Sequence, residues 1–348
     1  MTVLDARRLG TSELWVSPIC LGTMTFGQQN SEAEGHAQLD LAFERGINFI
    51  DTAELYAVPP RAETHGASER IVGSWLAGKP RDQVIVATKV AGPGRNLPWI
   101  RGGPAGLDRE HIRTALHGSL TRLGTDYVDL YQIHWPARNQ PMFGRWQYDP
   151  AEERAATPIR EQLEALKELV DEGKIRYIGV SNEHPWGISE FLRLAREHGL
   201  PRIASTQNAY NLLNRVYEYG LAEMCHRESV SLMAYSPLAF GHLSGKYLDA
   251  ATAVGRVTAF PGFGARYDKP AVTDAVRAYV ALAGEAGLSP ARMALAWAYH
   301  RWLMGSTIIG ATTLAQLEEN LAAYALRLDA DLLAAIDAIH VRHSNPAP

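Results

Sequence analysis

Four ionisable side chains lie at or just after the ends of successive predicted strands. Asp51 ends the second predicted strand and Tyr56 follows it after one short turn, while Lys89 and His134 end the third and fourth. Because the carboxyl ends of parallel strands meet at one edge, we expect the four side chains to converge. Each residue alone is also compatible with a solvated or core position, but the four together favour catalysis.

These residue types suit proton transfer to a carbonyl oxygen. A tyrosine with its ordinary pKa of about 10 is a poor acid at neutral pH, and a nearby ammonium favours the phenolate, so Lys89 is predicted to lower the pKa of Tyr56. Asp51 is the predicted counter-ion of Lys89, because an unpaired buried ammonium is costly. His134 can hydrogen-bond a substrate oxygen. The set offers no nucleophile and no metal site, so a carbonyl reduction here requires a separate hydride source.

The elements that must position these residues alternate regularly along the chain. Short apolar or β-branched runs predict strands, and helical patterns separate them. The predicted strands are 19–22, 48–51, 84–89, 128–134, 175–181, 204–207, 231–235 and 306–309. The predicted helices are 32–45, 67–76, 108–123, 159–172, 185–198, 217–228, 271–286, 290–300 and 314–325. Eight successive units predict an α/β fold, a single (β/α)8 TIM barrel that occupies residues 1–348 as one domain.

Long connections follow three of the predicted strands. Segments 92–107, 136–157 and 241–270 are rich in glycine and proline and come after strands three, four and seven. Loops that follow strands build the active face of such a barrel, so these are predicted to shape a pocket; disorder is the alternative. Segment 9–16 is predicted to be a small N-terminal hairpin that closes the barrel floor.

Composition excludes several classes of function. The 348 residues are 46% hydrophobic and 21% charged, with a formal net charge of −4, which gives no basic field for nucleic acid or anionic lipid. Two cysteines, Cys20 and Cys225, form neither a disulfide framework nor a metal-ligand spacing. No signal peptide is evident, and no apolar run approaches the ~18 residues of a membrane span. We therefore expect a cytoplasmic protein without bound metal and without a nucleic-acid or membrane partner.

Two other chemistries known on barrels are disfavoured. A retaining glycosidase needs two carboxylates about 5–5.5 Å apart, whereas strands four and seven end in His134 and Tyr235. A metal-dependent hydrolase needs clustered ligands at adjacent strand ends, and His134 has no neighbouring His-x-His.

Motifs spread over residues 9–338 resemble the aldo-keto reductase family. The first five are Gly22-Thr-Met-Thr-Phe-Gly27, Phe49-Ile-Asp-Thr-Ala-Glu-Leu-Tyr56, Ala87-Thr-Lys-Val90, Asp126-Tyr-Val-Asp-Leu-Tyr-Gln-Ile-His134 and Gly173-Lys-Ile-Arg-Tyr-Ile-Gly-Val-Ser-Asn182. Three more are Tyr235-Ser-Pro-Leu-Ala239, Gly245-Lys-Tyr247 and Gly310-Ala-Thr-Thr-Leu-Ala-Gln-Leu-Glu-Glu-Asn320. Within the family, the motifs are most similar to those of the bacterial Tas-like reductases and the potassium-channel β-subunit branch.

The resemblance implies a catalytic tetrad of Asp51, Tyr56, Lys89 and His134 and a bound NADP(H). It implies no Rossmann fingerprint, and the chain contains no Gly-x-Gly-x-x-Gly after a strand. The implied nicotinamide contacts are Ser181, Asn182, Gln207 and the ring of Tyr235. The implied pyrophosphate contacts are Ser236, Leu238, Gly241 and Lys246, and those of the adenosine end are Gly310, Thr312, Gln316, Glu319 and Asn320. Further implied cofactor contacts are Gly22, Thr23, Met24, Asp51, Pro237 and Ala239. From the residues alone, Asn182 and Asn320 are equally compatible with turns or caps and Tyr235 with the core.

The adenosine end departs from the pattern of many family members. A Lys-Ser pair and a downstream arginine commonly surround the adenosine 2′-phosphate, whereas this chain has Thr312 and Gln316. The same replacement is typical of the channel β-subunit branch, where a basic residue from the loop after strand seven contributes, and Arg256 is the best match here. Without such a cation the phosphate loses its strongest hydrogen bonds, so Arg256 supports a preference for NADPH over NADH.

The activity that the resemblance implies is NADPH-dependent reduction of an aldehyde or ketone to the alcohol. The hydride comes from the nicotinamide and the proton from Tyr56. Tyr56, His134 and Trp135 are the predicted contacts of this small-molecule substrate. Other aromatic residues of the long loops either line the pocket or pin their loops: Trp99, Phe143 and Trp146. The alternative is a slow-turnover NADP(H)-binding redox sensor or partner-binding subunit.

Overall fold

A computed structural model describes residues 4–249 and 253–348. Eight parallel strands close into a barrel, preceded by an antiparallel hairpin of β1 (Arg7–Arg8) and β2 (Trp15–Val16). The barrel strands are β3 (Ile19–Gly22), β4 (Phe49–Asp51), β5 (Ile85–Val90), β6 (Val128–Ile133), β7 (Ile175–Ser181), β8 (Ile203–Ala209), β9 (Ser231–Tyr235) and β10 (Met304–Ile309). Neighbours around the barrel follow chain order, and β10 pairs with β3 to close it. The predicted (β/α)8 barrel is confirmed.

Helices surround the strands and begin at recognisable caps. They are α1 (Glu32–Glu44), α2 (Ala67–Leu76), α3 (Arg109–Leu123), α4 (Ile159–Asp171), α5 (Pro185–His198), α6 (Tyr217–Arg227), α7 (Arg256–Ala259), α8 (Pro270–Glu285), α9 (Pro290–Tyr299), α10 (Leu314–Ala322) and α11 (Ala330–Arg342). Ser31 and Glu34 form a reciprocal capping box before α1, and Asp108 caps α3 through the His111 amide. Two of these helices, α7 and α11, are absent from the sequence prediction.

Two apolar layers stabilise the barrel. The outer layer lies between strands and helices, while the inner one fills the lumen with side chains such as Phe49, Leu130 and Met233. Leu9 and Leu14 of the hairpin join the inner layer. The predicted floor hairpin is therefore confirmed: its apolar side chains plug the amino ends of the strands.

A glycine fixes the hairpin against this floor. Gly10 has φ +57°, and a Cβ there would lie 2.3 Å from the Ala204 carbonyl oxygen. Its amide donates to Ser231 Oγ at 2.7 Å. Because Ala204 and Ser231 lie at the start of their strands, the hairpin occupies the end of the barrel opposite to the strand ends that carry Asp51 and Lys89.

The long connections after β5, β6 and β9 lie at the carboxyl ends of the strands, which we call the mouth. The third of these, predicted as 241–270, contains residues 250–252, which lie outside the described residues, and it carries the short helix α7. Apolar side chains of the first two loops pack around Tyr56 and Trp135. Within the described part of the chain, no helix has the length and apolarity needed to cross a membrane.

Candidate active site

The ends of β4, β5 and β6 bring the four predicted catalytic side chains together. Lys89, which is fully buried, donates from Nζ to Asp51 Oδ2 at 2.6 Å and to the Thr52 carbonyl oxygen at 2.8 Å. The same ammonium lies 3.4 Å from Tyr56 Oη. The ring of His134 meets that of Tyr56 edge-on, with centroids 5.6 Å apart. The convergence expected from strand order is therefore present.

Two glutamines fix the second oxygen of Asp51. Gln207 Nε2 donates to Asp51 Oδ1 at 2.9 Å and Gln132 Nε2 donates to the same atom at 3.2 Å. Lys89 stands opposite Gln132 in the β5–β6 register. Since both carboxylate oxygens are engaged, Asp51 holds Lys89 in one position while its negative charge compensates the buried ammonium.

Burial and the neighbouring charged groups together decide the protonation states of this cluster. Burial raises the pKa of Tyr56, and the opposing effect of Lys89 is smaller, so the predicted net lowering of this pKa is wrong. Burial disfavours the Lys89 ammonium, but Asp51 and Tyr56 outweigh it and raise the pKa of Lys89. Burial, with help from Lys89 and Arg95, holds the pKa of His134 well below its ordinary value. At neutral pH the site therefore presents a protonated phenol, an ammonium and a neutral imidazole.

A buried polar atom of this cluster has no partner. Nδ1 of His134 is buried and makes no hydrogen bond with any of the described residues. The backbone of His134 is fixed, because its amide donates to the Val90 carbonyl oxygen and its carbonyl accepts from Asn182. The imidazole, whose ring lies edge-on to that of Tyr56, thus keeps an unused hydrogen-bonding atom, which is what a ligand site requires.

The residues predicted to hold a nicotinamide lie beside the tetrad. Asn182 Nδ2 donates to the His134 carbonyl oxygen at 2.9 Å, and Tyr235 Oη donates to Asn182 Oδ1 at 2.7 Å. Ser181 Oγ donates to the Gln207 carbonyl oxygen at 2.9 Å. Asn182 has φ +58°, so it also acts as a turn residue. Tyr235 is half-buried, which leaves part of its ring open to the mouth.

The loop after β9 holds a strained backbone where the pyrophosphate contacts are predicted. Ser236, Ala239 and Phe240 have φ values of 55°, 49° and 56°, and Gly241 has φ 95°. A non-glycine residue in this region costs about 1–3 kcal/mol and is typically found at ligand clamps and active sites. Asn211 Nδ2 supports the turn by donating to the Ser236 carbonyl oxygen at 2.9 Å. Among the other residues implied here, Pro237 is buried and Leu238 half-buried.

Cationic side chains follow this turn. Arg256 lies over the Phe240 ring at 5.4 Å and donates to Gln29 Oε1 at 3.4 Å and towards Met24 Sδ at 3.7 Å. No carboxylate of the described residues pairs with Arg256. Lys246 comes close to Gly241, since a Cβ at that glycine would lie 2.9 Å from Lys246 Cε.

Most of the predicted adenosine contacts lie around the connection from β10 to α10. Thr312 donates from its amide and hydroxyl to Gln316 Oε1 at 2.9 and 3.0 Å, and Asn320 Nδ2 donates to the Gly310 carbonyl oxygen at 3.2 Å. Glu319 accepts from Ser289, outside this cluster. The buried Asn320 thus has a structural role as well, which the sequence left open.

The residues predicted from the first strand are mainly packed. A Cβ on Gly22 would lie 2.7 Å from a methyl carbon of Ile308. Thr23 Oγ1 donates to the Asp51 carbonyl oxygen at 3.1 Å and contacts Ser68 Oγ at 2.6 Å. Gly22 and Thr23 therefore position the end of β4, whereas the half-buried Met24 reaches the mouth.

The aromatic residues of the loops fall into two groups. Trp135 is fully buried and its Nε1 donates to the Pro93 carbonyl oxygen at 2.8 Å, so it packs behind His134 instead of facing an open pocket. Trp99 is half-buried against the apolar cluster around Tyr56. Phe143 is 39% exposed and Trp146 is 69% exposed.

Sequence reasoning missed three residues at the mouth. Strand periodicity could have revealed Gln132. It lies two residues after Leu130 and two before His134, so its side chain points to the same side of the sheet as theirs. Arg95 and Arg266 lie in irregular loops, where no periodicity indicates which side chains meet.

The family model of the aldo/keto reductase family matches residues 18–341. A relative called Protein tas from Escherichia coli (strain K12) is 50% identical over 348 residues, covering 99% of this chain and all of that protein. An uncharacterized oxidoreductase, YrpG, from Bacillus subtilis (strain 168) is 32% identical and covers 93% of this chain and 92% of its own length. A putative voltage-gated potassium channel subunit beta from Schizosaccharomyces pombe is 32% identical, with 96% of this chain and 92% of that protein covered. With its closed barrel and converged strand-end side chains, the chain belongs to the aldo/keto reductase family.

Proposed function

We propose that this protein reduces an aldehyde or ketone to the alcohol with NADPH. The observation that carries the proposal is the Tyr56 hydroxyl, which lies 3.4 Å from a fully buried ammonium that Asp51 holds at 2.6 Å. A protonated phenol in this position is a general acid whose conjugate base the ammonium stabilises.

The residues of the mouth suit the dinucleotide that the family uses. Ser181, Asn182 and Gln207 would hold the carboxamide, Tyr235 would lie against the ring, and the strained turn from Ser236 onward would hold the pyrophosphate. Arg256, which lacks a carboxylate partner among the described residues, would pair with the 2′-phosphate. When bound, NADPH supplies the hydride that adds to the carbonyl carbon.

The side chains of the tetrad carry out the remaining steps. The substrate carbonyl oxygen accepts hydrogen bonds from Tyr56 and His134. As negative charge grows on that oxygen, Tyr56 gives it the hydroxyl proton, and the resulting phenolate is stabilised by Lys89. Asp51 keeps Lys89 charged and oriented. General-acid catalysis of this kind typically contributes about 10²–10⁴-fold in rate.

A fluorescence titration of the purified protein with NADPH, and separately with NADH, tests the cofactor. The decay of NADPH absorbance on adding 4-nitrobenzaldehyde then tests the chemistry. We expect tighter binding of NADPH than of NADH and an aldehyde-dependent decay that yields the alcohol. Binding of neither dinucleotide would contradict the proposal.

A redox sensor or partner-binding subunit is the second candidate. It is favoured by the similarity to a putative channel subunit beta, which extends over 96% of this chain. Purified protein that retains NADP(H) through gel filtration and reduces every carbonyl compound slowly would favour this candidate. Fast turnover of one defined aldehyde would favour the enzyme.

A further inference from the structure

Two arginines at the mouth contact the same aromatic ring. Arg95 lies in the loop after β5 and Arg266 in the loop after β9, and their guanidinium carbons are 4.7 and 5.6 Å from the centroid of Phe143. Phe143 itself belongs to the loop after β6. Three loops therefore meet at one aromatic ring, and two positively charged guanidinium groups pack against it. We call Arg95 and Arg266 the cationic rim.

Packing holds the cationic rim beside the tetrad. The guanidinium of Arg95 also lies 5.2 Å from the ring centroid of Trp135, which packs against His134 with centroids 5.0 Å apart. On the other side, Gly144 has φ +103°, and a Cβ there would lie 2.9 Å from the Cβ of Arg266. Glycine is thus required for the loop after β6 to approach Arg266 this closely.

Arg95 is exposed and Arg266 is half-buried, and neither has the acidic partner that several other arginines of the chain have. Arg95 and Arg266 form no ion pair with any carboxylate in residues 4–249 and 253–348, and the guanidinium carbon of Arg266 lies 5.8 Å from the centroid of the Tyr267 ring. Three arginines elsewhere are each paired with a buried glutamate: Arg101 with Glu54, Arg122 with Glu69 and Arg138 with Glu183. The chain as a whole is acidic, with a formal charge of −4. A basic composition therefore does not explain two unpaired cations at the mouth.

The surroundings of Tyr56 define the rest of the substrate. Its neighbours in the loops after β4 and β5 are apolar, among them Leu55, Val58 and Leu97, and the half-buried Trp99 packs against them. Such walls suit an apolar body. The charge of Arg95 also reaches the reacting groups, since it adds to burial and to Lys89 in lowering the pKa of His134.

We infer that the substrate of the proposed reductase carries a carboxylate, which Arg95 and Arg266 bind while its carbonyl group lies at Tyr56 and His134. The substrate class is thus an aldehyde or ketone with an apolar body and an acidic end. A guanidinium presents parallel N–H donors that match the two oxygens of a carboxylate. A cationic mouth also raises the rate at which anionic substrates arrive. This inference rests on the proposed function.

The test compares 4-carboxybenzaldehyde with its neutral methyl ester as substrates with NADPH. In the wild type, kcat/KM is expected to favour the acid. Arg95→Leu is expected to lower kcat/KM for the acid about 10- to 100-fold, as the loss of a charged hydrogen-bonding partner implies, while the value for the ester changes less than about twofold. Arg266→Leu should act in the same direction. Arg277→Leu, which removes the same charge from the exposed face of α8, is the matched control and should alter neither substrate.

Two results would overturn the inference. One is that Arg95→Leu changes kcat/KM for the acid and for the ester by the same factor, or changes neither. The other is a weaker NADPH affinity in Arg95→Leu that accounts for the loss, because the cation would then serve the cofactor.

If 4-carboxybenzaldehyde, its methyl ester and 4-nitrobenzaldehyde all remain unreduced, the proposed function fails and the inference is decided by binding alone. Quenching of tryptophan fluorescence by benzoate, with benzamide as the neutral control, should then be present in the wild type and absent in Arg95→Leu. Equal quenching in both proteins, or none in the wild type, would contradict a carboxylate site.

Discussion

Buried charge is treated differently at the two ends of the barrel. Towards the amino ends of the strands, Asp129 accepts from Arg81 at 2.8 Å and from the Val86 amide at 3.0 Å, and Arg176 lies 3.2 Å away. At the mouth, Lys89 has one carboxylate partner and its ammonium also lies within reach of a phenol. At the floor, the carboxylate of Asp129 is paired by cations and an amide of the protein itself. At the mouth, the phenol of Tyr56 beside the ammonium can still hydrogen-bond a ligand.

Backbone conformation shows the same asymmetry. Among the described residues, eight that are not glycine have a positive φ. Six of them lie in loops at the mouth: Arg101, Phe143, Asn182, Ser236, Ala239 and Phe240. The other two are Ser229 and Asn345. Since such conformations cost about 1–3 kcal/mol each, their concentration at one end indicates that this end is shaped for binding.

Replacing the ammonium of the tetrad should have the largest effect on both function and stability. Lys89→Met leaves Asp51 buried without its cation, which is expected to reduce the free energy of unfolding by about 3–5 kcal/mol and to remove most turnover. Chemical denaturation and the aldehyde assay measure the two effects. Lys167→Met on the exposed face of α4 is the matched control and should change neither.

A double variant separates the loss of charge pairing from a general loss of packing. Adding Asp51→Asn to Lys89→Met removes the unpaired carboxylate, so the double variant should be less destabilised than the sum of the single variants. Strict additivity of the two changes would contradict the assigned pairing.

The charge cluster at the floor provides the contrasting case. Arg81→Met removes one partner of Asp129, but Arg176 and the Val86 amide remain, so we expect a loss of only about 1.5–3 kcal/mol in stability. The kcat/KM of the folded protein should be unchanged. A selective loss of turnover in this variant would mean that the two ends are not functionally distinct.

The depressed pKa of His134 predicts a smaller, pH-dependent effect. The unfolded chain binds a proton at this residue more readily than the folded protein, so its contribution to stability is present above the ordinary pKa of 6.5 and is lost as the pH falls below it. The free energy of unfolding of the wild type should therefore decline between about pH 7 and pH 5 more steeply than that of His134→Gln, by at most about 1.4 kcal/mol per pH unit. Equal slopes would contradict a neutral, buried imidazole.

Sequence reasoning could predict the barrel because its signals are periodic. Alternating apolar strands and amphipathic helices indicate β7, β9, α2 and α5 with the same bounds that the structure has. It missed α11, although Asp329 caps that helix and Leu332, Ile336 and Ile339 have helical spacing. The repeating βα pattern ends with the eighth unit, so nothing in that pattern called for a further helix.

The candidate site was predictable where strands position it and not where loops do. Strand order placed Asp51, Lys89 and His134 at one edge. The contact of Arg95 with Phe143 depends on how separate loops fold over the mouth. Likewise, the net direction of the Tyr56 pKa depends on burial, which a list of neighbouring charges does not contain.

The most direct test of the active site is a comparison of Tyr56→Phe with the wild type in aldehyde-dependent NADPH oxidation and in NADPH binding. Tyr219→Phe, which removes a phenol hydroxyl from the exposed surface, is the control. If Tyr56 is the proton donor at the mouth, its replacement lowers turnover by about 10²–10⁴-fold and leaves the NADPH dissociation constant nearly unchanged. Turnover at the wild-type rate in Tyr56→Phe would contradict this role.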